Sequence, residues 1–298
     1  MKAKIACIGT GSMGGAIMRA VCKKGDAWNV TVTSKNPEHA KAFAEETGCK
    51  SFEKNSDAVK DAKYVFIGVK PFMVETVLKE IAPALSKDVV VISMAAGMSI
   101  EKLEGFAKGV RFIRIMPNVP AQIGQAMTAL SCNSNITEEE LAEAKTILEA
   151  AGKVEQVPEK LMDCVTAVSG SGPAFVFMFI EALADAAVKC GMPRAQAYIY
   201  AAQTVKGSAE LVLESGKHPA VLKDSVCSPG GTTIDGVAAL ENKGLRDAVI
   251  SAVVAAYDKS ASMGNRLAES FNQFGFIINS GFFINAGNIV FYGALFDV

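Results

Sequence analysis

Lys4-Ile5-Ala6-Cys7-Ile8-Gly9-Thr10-Gly11-Ser12-Met13-Gly14 decides how the first half of the chain folds. A short apolar run leads into G-x-G-x-x-G, and residues 12–24 then carry apolar side chains at helical spacing. A strand that turns through glycines into a helix is the signature of dinucleotide binding. Gly9 permits the tight turn and Gly11 lets a pyrophosphate approach the backbone. Gly14 allows helix and strand to touch, while the helix start at Ser12 and Met13 faces the phosphates with its N–H groups and dipole.

Outward from this turn, strand and helix patterns alternate. Strands are expected over 30–34, 64–69, 89–94 and 110–116, and helices over 38–47, 74–85 and 100–107. Nearly all-apolar strands in such alternation imply a parallel sheet with helices on both faces. Residues 126–132 and 154–157 can add two strands around a helix over 138–151, which Thr137 opens with Glu140 completing a capping box. The first domain closes near Pro158. Beyond it the strand signal vanishes, and helices are expected over 159–168, 174–190, 194–213, 220–226, 234–241 and 245–263. Two of these, 174–190 and 194–213, are apolar on more than one face, which one small helical domain cannot bury; an interlocked homodimer is the simplest answer. The fold class is therefore α/β, with an N-terminal Rossmann-type doubly wound sheet (1–158) followed by an all-α dimerisation domain (159–270). Residues 271–298 form an atypical apolar tail. Its stretch from Phe271 to Phe296 has no charged residue, yet Asn and Gly interrupt it too often for a membrane helix.

Composition narrows the function. Of 298 residues half are apolar and a fifth charged, with a net charge of -1, which gives no reason to bind nucleic acid or a membrane surface. The opening MKAKIACIGTG lacks a signal-peptide layout, so a cytoplasmic protein is expected. Seven scattered cysteines without a C-x-x-C pair read as buried thiols of a reducing compartment. With two histidines, a histidine-based zinc site is not expected, and no metal is assigned.

The end of the second strand informs by what it lacks. An NAD-binding chain usually places Asp or Glu there for the ribose 2′-OH. Here Thr33-Ser34-Lys35-Asn36 offers hydroxyls, a cation and an amide, which suit a 2′-phosphate. NADPH is the expected cofactor, with NADH a weaker substitute. Val69-Lys70-Pro71, Ala95-Ala96-Gly97 and Met116-Pro117-Asn118 end later strands on the same carboxyl edge, where open α/β sheets bind ligands. Lys70 suits the cofactor ribose, the small residues leave room for the nicotinamide ribose, and Met116-Pro117-Asn118 can cover the nicotinamide. In the helical half, Ser169-Gly170-Ser171-Gly172-Pro173 and Ser228-Pro229-Gly230-Gly231-Thr232-Thr233 each read as a small, hydroxyl-rich turn feeding a helix N-terminus, a natural anion site.

Taken in order, G-x-G-x-M-G, Val69-Lys70-Pro71, Ala95-Ala96-Gly97, Met116-Pro117-Asn118, Ser169-Gly170-Ser171-Gly172-Pro173-Ala174 and the run from Leu222 to Ile234 resemble the pyrroline-5-carboxylate reductase family over residues 1 to about 270. The resemblance implies NADPH-dependent reduction of a cyclic imine, and a dimer built by the helical domain, often assembled further into a ring. It implies substrate held by Val226, Ser228, Gly230, Gly231, Thr232 and Thr233, with Ser171 among the contacts and Thr233 catalytic beside the imine nitrogen. Ser34 and Asn55 fall where the family contacts the adenosine ribose and its phosphate. The tail departs from the family's usual ending. Two rivals are weaker. A 3-hydroxyacid dehydrogenase needs a lysine on the first long interdomain helix, and Phe175 to Ala187 contains none. A non-enzymatic NADP-binding regulator would not need the Ser228 to Thr233 turn.

Overall fold

The computed structural model describes residues 3–24 and 28–279, with the side chains of the last helix described through Met263. Eight strands, β1 (Lys4–Ile8), β2 (Asn29–Thr33), β3 (Lys50–Ser51), β4 (Tyr64–Ile67), β5 (Val90–Ser93), β6 (Arg111–Met116), β7 (Ala126–Cys132) and β8 (Gly152–Gln156), form one sheet in the order β3-β2-β1-β4-β5-β6-β7-β8. Every pair is parallel except β6–β7. The sheet is thus mixed rather than wholly parallel. The reason is the connection: between β6 and β7 lies only a 3-10 turn, Val119–Ile123, and a parallel return needs a longer crossover. Strand β3 is not foreseeable from the sequence, because two polar residues carry no hydrophobic period.

Six helices flank the sheet: α1 (Ser12–Lys23), α2 (Pro37–Thr47), α3 (Asn55–Val59), α4 (Val74–Ile81), α5 (Ile100–Phe106) and α6 (Glu138–Leu148). Alternation along β1 sends Ile5 and Cys7 to one face, against Ile17, Met18 and Val21 of α1. Ala6 and Ile8 go to the other, against Val77, Leu78 and Ile81 of α4. Both faces are dry, as a doubly wound sheet requires. Helix α4 stops short of Leu85 because Pro83 sits in the 3-10 turn that follows it. The capping box at α6 is present: Glu140 N–H donates to the Thr137 hydroxyl at 3.2 Å and Thr137 N–H donates to Glu140 Oε2 at 3.0 Å.

Six more helices follow: α7 (Met162–Val165), α8 (Gly172–Lys189), α9 (Arg194–Ser215), α10 (Pro219–Ser225), α11 (Thr232–Asn242) and α12 (Leu245–Asn279). The expected break at Ser169–Pro173 does not occur. Thr166–Gly170 instead forms a π turn continuous with α8, in which Ser171 N–H donates to the Thr166 carbonyl at 2.8 Å. The Thr166 and Ser169 hydroxyls bond back to the carbonyls of Met162 and Val165, so small polar residues widen the helix without ending it. Helices α8 and α9 pack on one another through Ala184, Ala197 and Ala201. Their other faces are open: Phe177 is 58% and Ile199 68% exposed in the single chain. Helix α12 runs past Met263 to Asn279, so the tail's first nine residues continue a helix; residues 280–298 lie outside the described part.

The cysteines also differ from expectation. No disulfide joins the described thiols, but only Cys7 is buried; Cys164 and Cys190 are exposed and the other four half-buried. Cys164 lies in α7 and Cys190 caps the C-terminal end of α8, both in the region after the sheet.

Candidate active site

Strand order reverses between β1 and β4, since β1 is followed by β2 on one side and β4 lies on the other. The crevice outside the carboxyl ends of such strands is where doubly wound folds bind ligands, and a cleft of about 900 Å³ opens there. Three glycines shape it. Gly9 has φ +95°, and a Cβ on it would lie 2.8 Å from the Gly68 carbonyl oxygen. A Cβ on Gly14 would lie 2.2 Å from the Gly9 oxygen, and one on Gly68 2.5 Å from the same atom. Only glycine lets these backbones meet. A Cβ at Gly11 would meet nothing within 4 Å, because Gly11 faces the cleft. Gly11 also caps α1 with no side-chain hydrogen bond, which leaves the first turn's N–H groups for an anionic ligand. Beneath the turn the Cys7 thiol donates to the Gly9 carbonyl at 3.6 Å; burial pushes it up to about 12, so it is an inert packing group.

The cleft wall brings together Gly9, Gly11, Ser12, Met13, Ser34, Lys35, Asn55, Val69, Lys70, Pro71, Ala95 and Ala96. The fold thus gathers these cofactor candidates from five separate stretches of sequence. Gly14 lies beneath the wall. Gly97, Met116 and Pro117 are not on it. Asn36 serves a helix cap instead, its Oδ1 accepting from Glu38 N–H at 3.0 Å at the start of α2. Asn118 is likewise committed, with Oδ1 accepting from Met127 N–H at 2.9 Å and Nδ2 donating to the Ser169 carbonyl at 3.0 Å.

The sequence reading missed Glu53, Gly68, Phe72, Thr76, Glu80 and Met94, which also line the cleft. Thr76 and Glu80 stand one turn apart on α4, a spacing that marks a shared face. Glu80 is bonded to the cofactor wall: Asn55 Nδ2 donates to its Oε2 at 3.0 Å, and the Thr33 hydroxyl donates to Asn55 Oδ1 at 2.6 Å. The end of β2 is as free of acids as expected, yet carboxylates still reach the cleft. The loop after β2 carries no acid, but Glu53 and Glu80 reach the cleft from other elements.

Among the described residues, none of the helical domain lines the cleft. Its second candidate cluster stands apart as a tight, exposed turn. Gly230 has φ +67°, and a Cβ on Gly231 would lie 2.3 Å from the Ser228 Oγ. Gly231 N–H donates to the Ser228 carbonyl at 3.0 Å and caps α11 without a side-chain bond. Helix α11 starts two residues earlier than expected, so Thr232 and Thr233 occupy its first turn. Val226 is 63% exposed just before the turn. Ser171 differs: its N–H is spent inside the continuous helix, so the first cluster is no free helix N-terminus.

A glycine-turn cleft at the switch point of a doubly wound sheet, followed by an all-helical domain, defines a two-domain nucleotide-dependent oxidoreductase. Residues 4–97 match the family described as NADP oxidoreductase coenzyme F420-dependent, and residues 159–263 match pyrroline-5-carboxylate reductase dimerisation. The pyrroline-5-carboxylate reductase of Escherichia coli is 43% identical over 266 residues, covering 88% of this chain and 99% of that one. That of Synechocystis is 47% identical over 212 residues, covering 71% and 79%. Among solved structures, the Plasmodium falciparum pyrroline carboxylate reductase with NADP bound is 31% identical, with a TM-score of 0.79 and coverage of 89% of this chain and 99% of that one. The Coxiella burnetii reductase is 31% identical, with a TM-score of 0.83 and coverage of 88% and 99%. This chain belongs to the pyrroline-5-carboxylate reductase family. The stretch Glu159–Lys189 is long and apolar enough to cross a membrane by length and composition, but the same stretch opens the region matching the dimerisation family, which accounts for its apolar surface.

Proposed function

We propose that this protein reduces the C=N bond of 1-pyrroline-5-carboxylate to give L-proline, using NADPH in preference to NADH. The observation that carries the reading is the pairing, within one family-sized chain, of a glycine-turn cleft with the exposed Ser228 to Thr233 turn. NADPH, when bound, supplies the hydride. The chain's own residues bind and orient. The first turn of α1 and the hydroxyls of Ser12 and Ser34 receive phosphate oxygens, with Lys35 adding charge at the 2′-phosphate. The N–H groups of the Gly230 to Thr233 turn receive the substrate carboxylate, and the Thr233 hydroxyl bonds the ring nitrogen as its charge is lost. A protonated imine is already a good hydride acceptor, so positioning contributes most of the catalysis. That suits a cleft without histidine.

Because cleft and turn belong to surfaces that do not meet within one chain, the site closes when copies assemble through α8 and α9. A homodimer is the smallest such assembly, and a ring of dimers extends it. A cytoplasmic enzyme is consistent with a soluble substrate and cofactor. The test is turnover of pyrroline carboxylate with NADPH by the purified protein. Absence of proline formation, with NADPH binding intact, would overturn the reading.

A further inference from the structure

Asn55 is held at both ends of its amide. The Thr33 hydroxyl donates to its Oδ1 at 2.6 Å, and its Nδ2 donates to Glu80 Oε2 at 3.0 Å. Thr33 is a fixed anchor: it ends β2, is 1% exposed, and its carbonyl accepts from Gly9 N–H at 3.0 Å. The base of Glu80 is fixed as well, since Val77, Leu78 and Ile81 of α4 share a buried cluster with Val59 of α3. Asn55 opens α3, so helix packing sets the span between its amide and the carboxylate. We propose that Glu80 is a positioning residue for the cofactor, setting which end of the Asn55 amide meets the adenosine ribose and its 2′-phosphate; the role rests on the cleft's reading as an NADPH site.

The chemistry of the two anchors decides the orientation. A hydroxyl accepts as readily as it donates, so Thr33 alone would tolerate either end of the amide. A carboxylate only accepts. With the amide turned over, Asn55 Oδ1 would face Glu80 oxygen against oxygen, and attraction would become repulsion. Glu80 therefore selects the orientation, and Thr33 completes it.

One Nδ2 hydrogen goes to Glu80, and the second is left for a ligand in the cleft that Asn55 lines with Ser34 and Lys35. That end of the cleft follows β2, where doubly wound folds meet the adenosine ribose. An ionised phosphate oxygen accepts hydrogen bonds and has none to give, so it requires the N–H and not the carbonyl. Charge alone predicts the opposite effect. A carboxylate on the wall repels a phosphate, and removing it on that ground would tighten binding. Orientation and repulsion thus differ in sign.

The test uses the full-length protein and reads binding. NADP+ and the fragment 2′,5′-ADP are titrated by calorimetry into wild type, Glu80→Gln, Asn55→Ala and the double variant. Glu80→Gln keeps the side chain's length but pairs with either end of the Asn55 amide, so the orientation is no longer selected. It should bind both ligands roughly three- to ten-fold more weakly, about the net worth of one hydrogen bond. Glu80→Ala, which leaves Asn55 without that partner, should repeat the loss. In the Asn55→Ala background Glu80→Gln should cost nothing, because its effect passes through the amide. Steady-state kinetics should show a raised KM for NADPH with kcat nearly unchanged, a split that a weakened fold would not give. Equal or tighter binding in Glu80→Gln, or a loss that persists without Asn55, overturns the proposal. A loss for NADP+ that the fragment does not share overturns it too. Failure of the wild type to bind NADP+ would overturn the cofactor reading and this role together, whereas normal wild-type binding with an unaffected Glu80→Gln overturns the role alone.

Discussion

The Asn118 carboxamide donates at 3.0 Å to the carbonyl of Ser169, the residue four positions before Pro173. In an ordinary helix that carbonyl would accept from the N–H of residue 173, which proline lacks. Asn118 supplies the missing donor from the end of β6, and its own oxygen accepts from Met127 N–H. One side chain, 8% exposed, thus ties the sheet's edge to the start of the helical domain. Asn118→Ala should leave two backbone groups without partners and cost about 1–3 kcal/mol. A thermal melt lowered by several degrees, with little change in KM for NADPH, is the expected result. A raised KM at an unchanged melting point would instead make Asn118 a cofactor contact.

Acid stability follows from the helix cap at α6. Burial pushes Glu140 upward, but the Thr137 N–H, the Arg111 guanidinium (2.7 Å) and the Thr137 hydroxyl outweigh it and hold its carboxyl below the ordinary 4.5. A depressed folded pKa gives stability that is present above the unfolded value and is lost as pH falls through the folded one. Glu140→Gln should therefore be less stable than wild type at neutral pH. The gap should close progressively below pH 4.5, as denaturant melts across that range would record.

Cofactor choice tests the loop after β2. Ser34 and Lys35 line the cleft and no acid stands among them, so wild type should show a lower KM for NADPH than for NADH. Ser34→Asp should repel the 2′-phosphate and narrow or reverse that preference. Steady-state kinetics with both cofactors measures it; a wild type that uses NADH better would sink the reading of this loop.

How far the sequence carries can be judged at particular residues. Gly9 to Gly14 is legible because its glycines sit at fixed spacing for local reasons: backbones meet at Gly9 and Gly14, where an added Cβ would lie 2.8 Å and 2.2 Å from a carbonyl oxygen, and Gly11 opens the cleft, with nothing within 4 Å. The capping box at Thr137 is legible because it is local. Glu80 is not, since nothing in its own neighbourhood says that α4 will carry it across to Asn55. Asn118 escapes for the same reason: its partners, Met127 and Ser169, lie nine and fifty-one residues away. The π turn at Thr166–Gly170 reads as a break because glycine and serine usually punctuate helices, and only the hydroxyl back-bonds reveal that they widen this one. Local chemistry and strong periods survive reading from one chain; tertiary assignments of polar side chains do not.

Assembly is the next test. Phe177 and Ile199 stand 58% and 68% exposed on helices that bury Ala184, Ala197 and Ala201 where they meet. The protein should be a dimer or larger at micromolar concentration. Phe177→Glu should weaken that association roughly ten-fold or more, as loss of a buried aromatic anchor does. Removing residues 271–298 should leave dimerisation and turnover largely intact. Light scattering of the three proteins checks the association and turnover assays check the rest. A well-behaved wild-type monomer would rule out the interlocked helices, and dissociation on truncation would give the tail a structural part.

Thr233 carries the sharpest prediction, because the structure already removes its simplest alternative. A threonine in the first turn of a helix is usually a cap, yet α11 is capped by Gly231 with no side-chain bond. Thr233→Val keeps the side-chain shape and should therefore cost less than the roughly 1 kcal/mol of a lost cap. If the hydroxyl bonds the imine nitrogen mainly as the transition state forms, turnover should fall roughly 10- to 1000-fold, as for one preorganised donor. NADPH binding should barely change, since among the described residues the cleft draws none from this domain. Ser228→Ala acts differently. Its Oγ sits where a Cβ on Gly231 would fall, 2.3 Å away, so it shapes the carboxylate-holding turn. That change should raise KM for pyrroline carboxylate more than it lowers turnover. Measuring turnover, KM and thermal midpoint on the same samples separates the two roles. Near-normal turnover in Thr233→Val would take Thr233 off the reaction and leave the turn as a binding element alone.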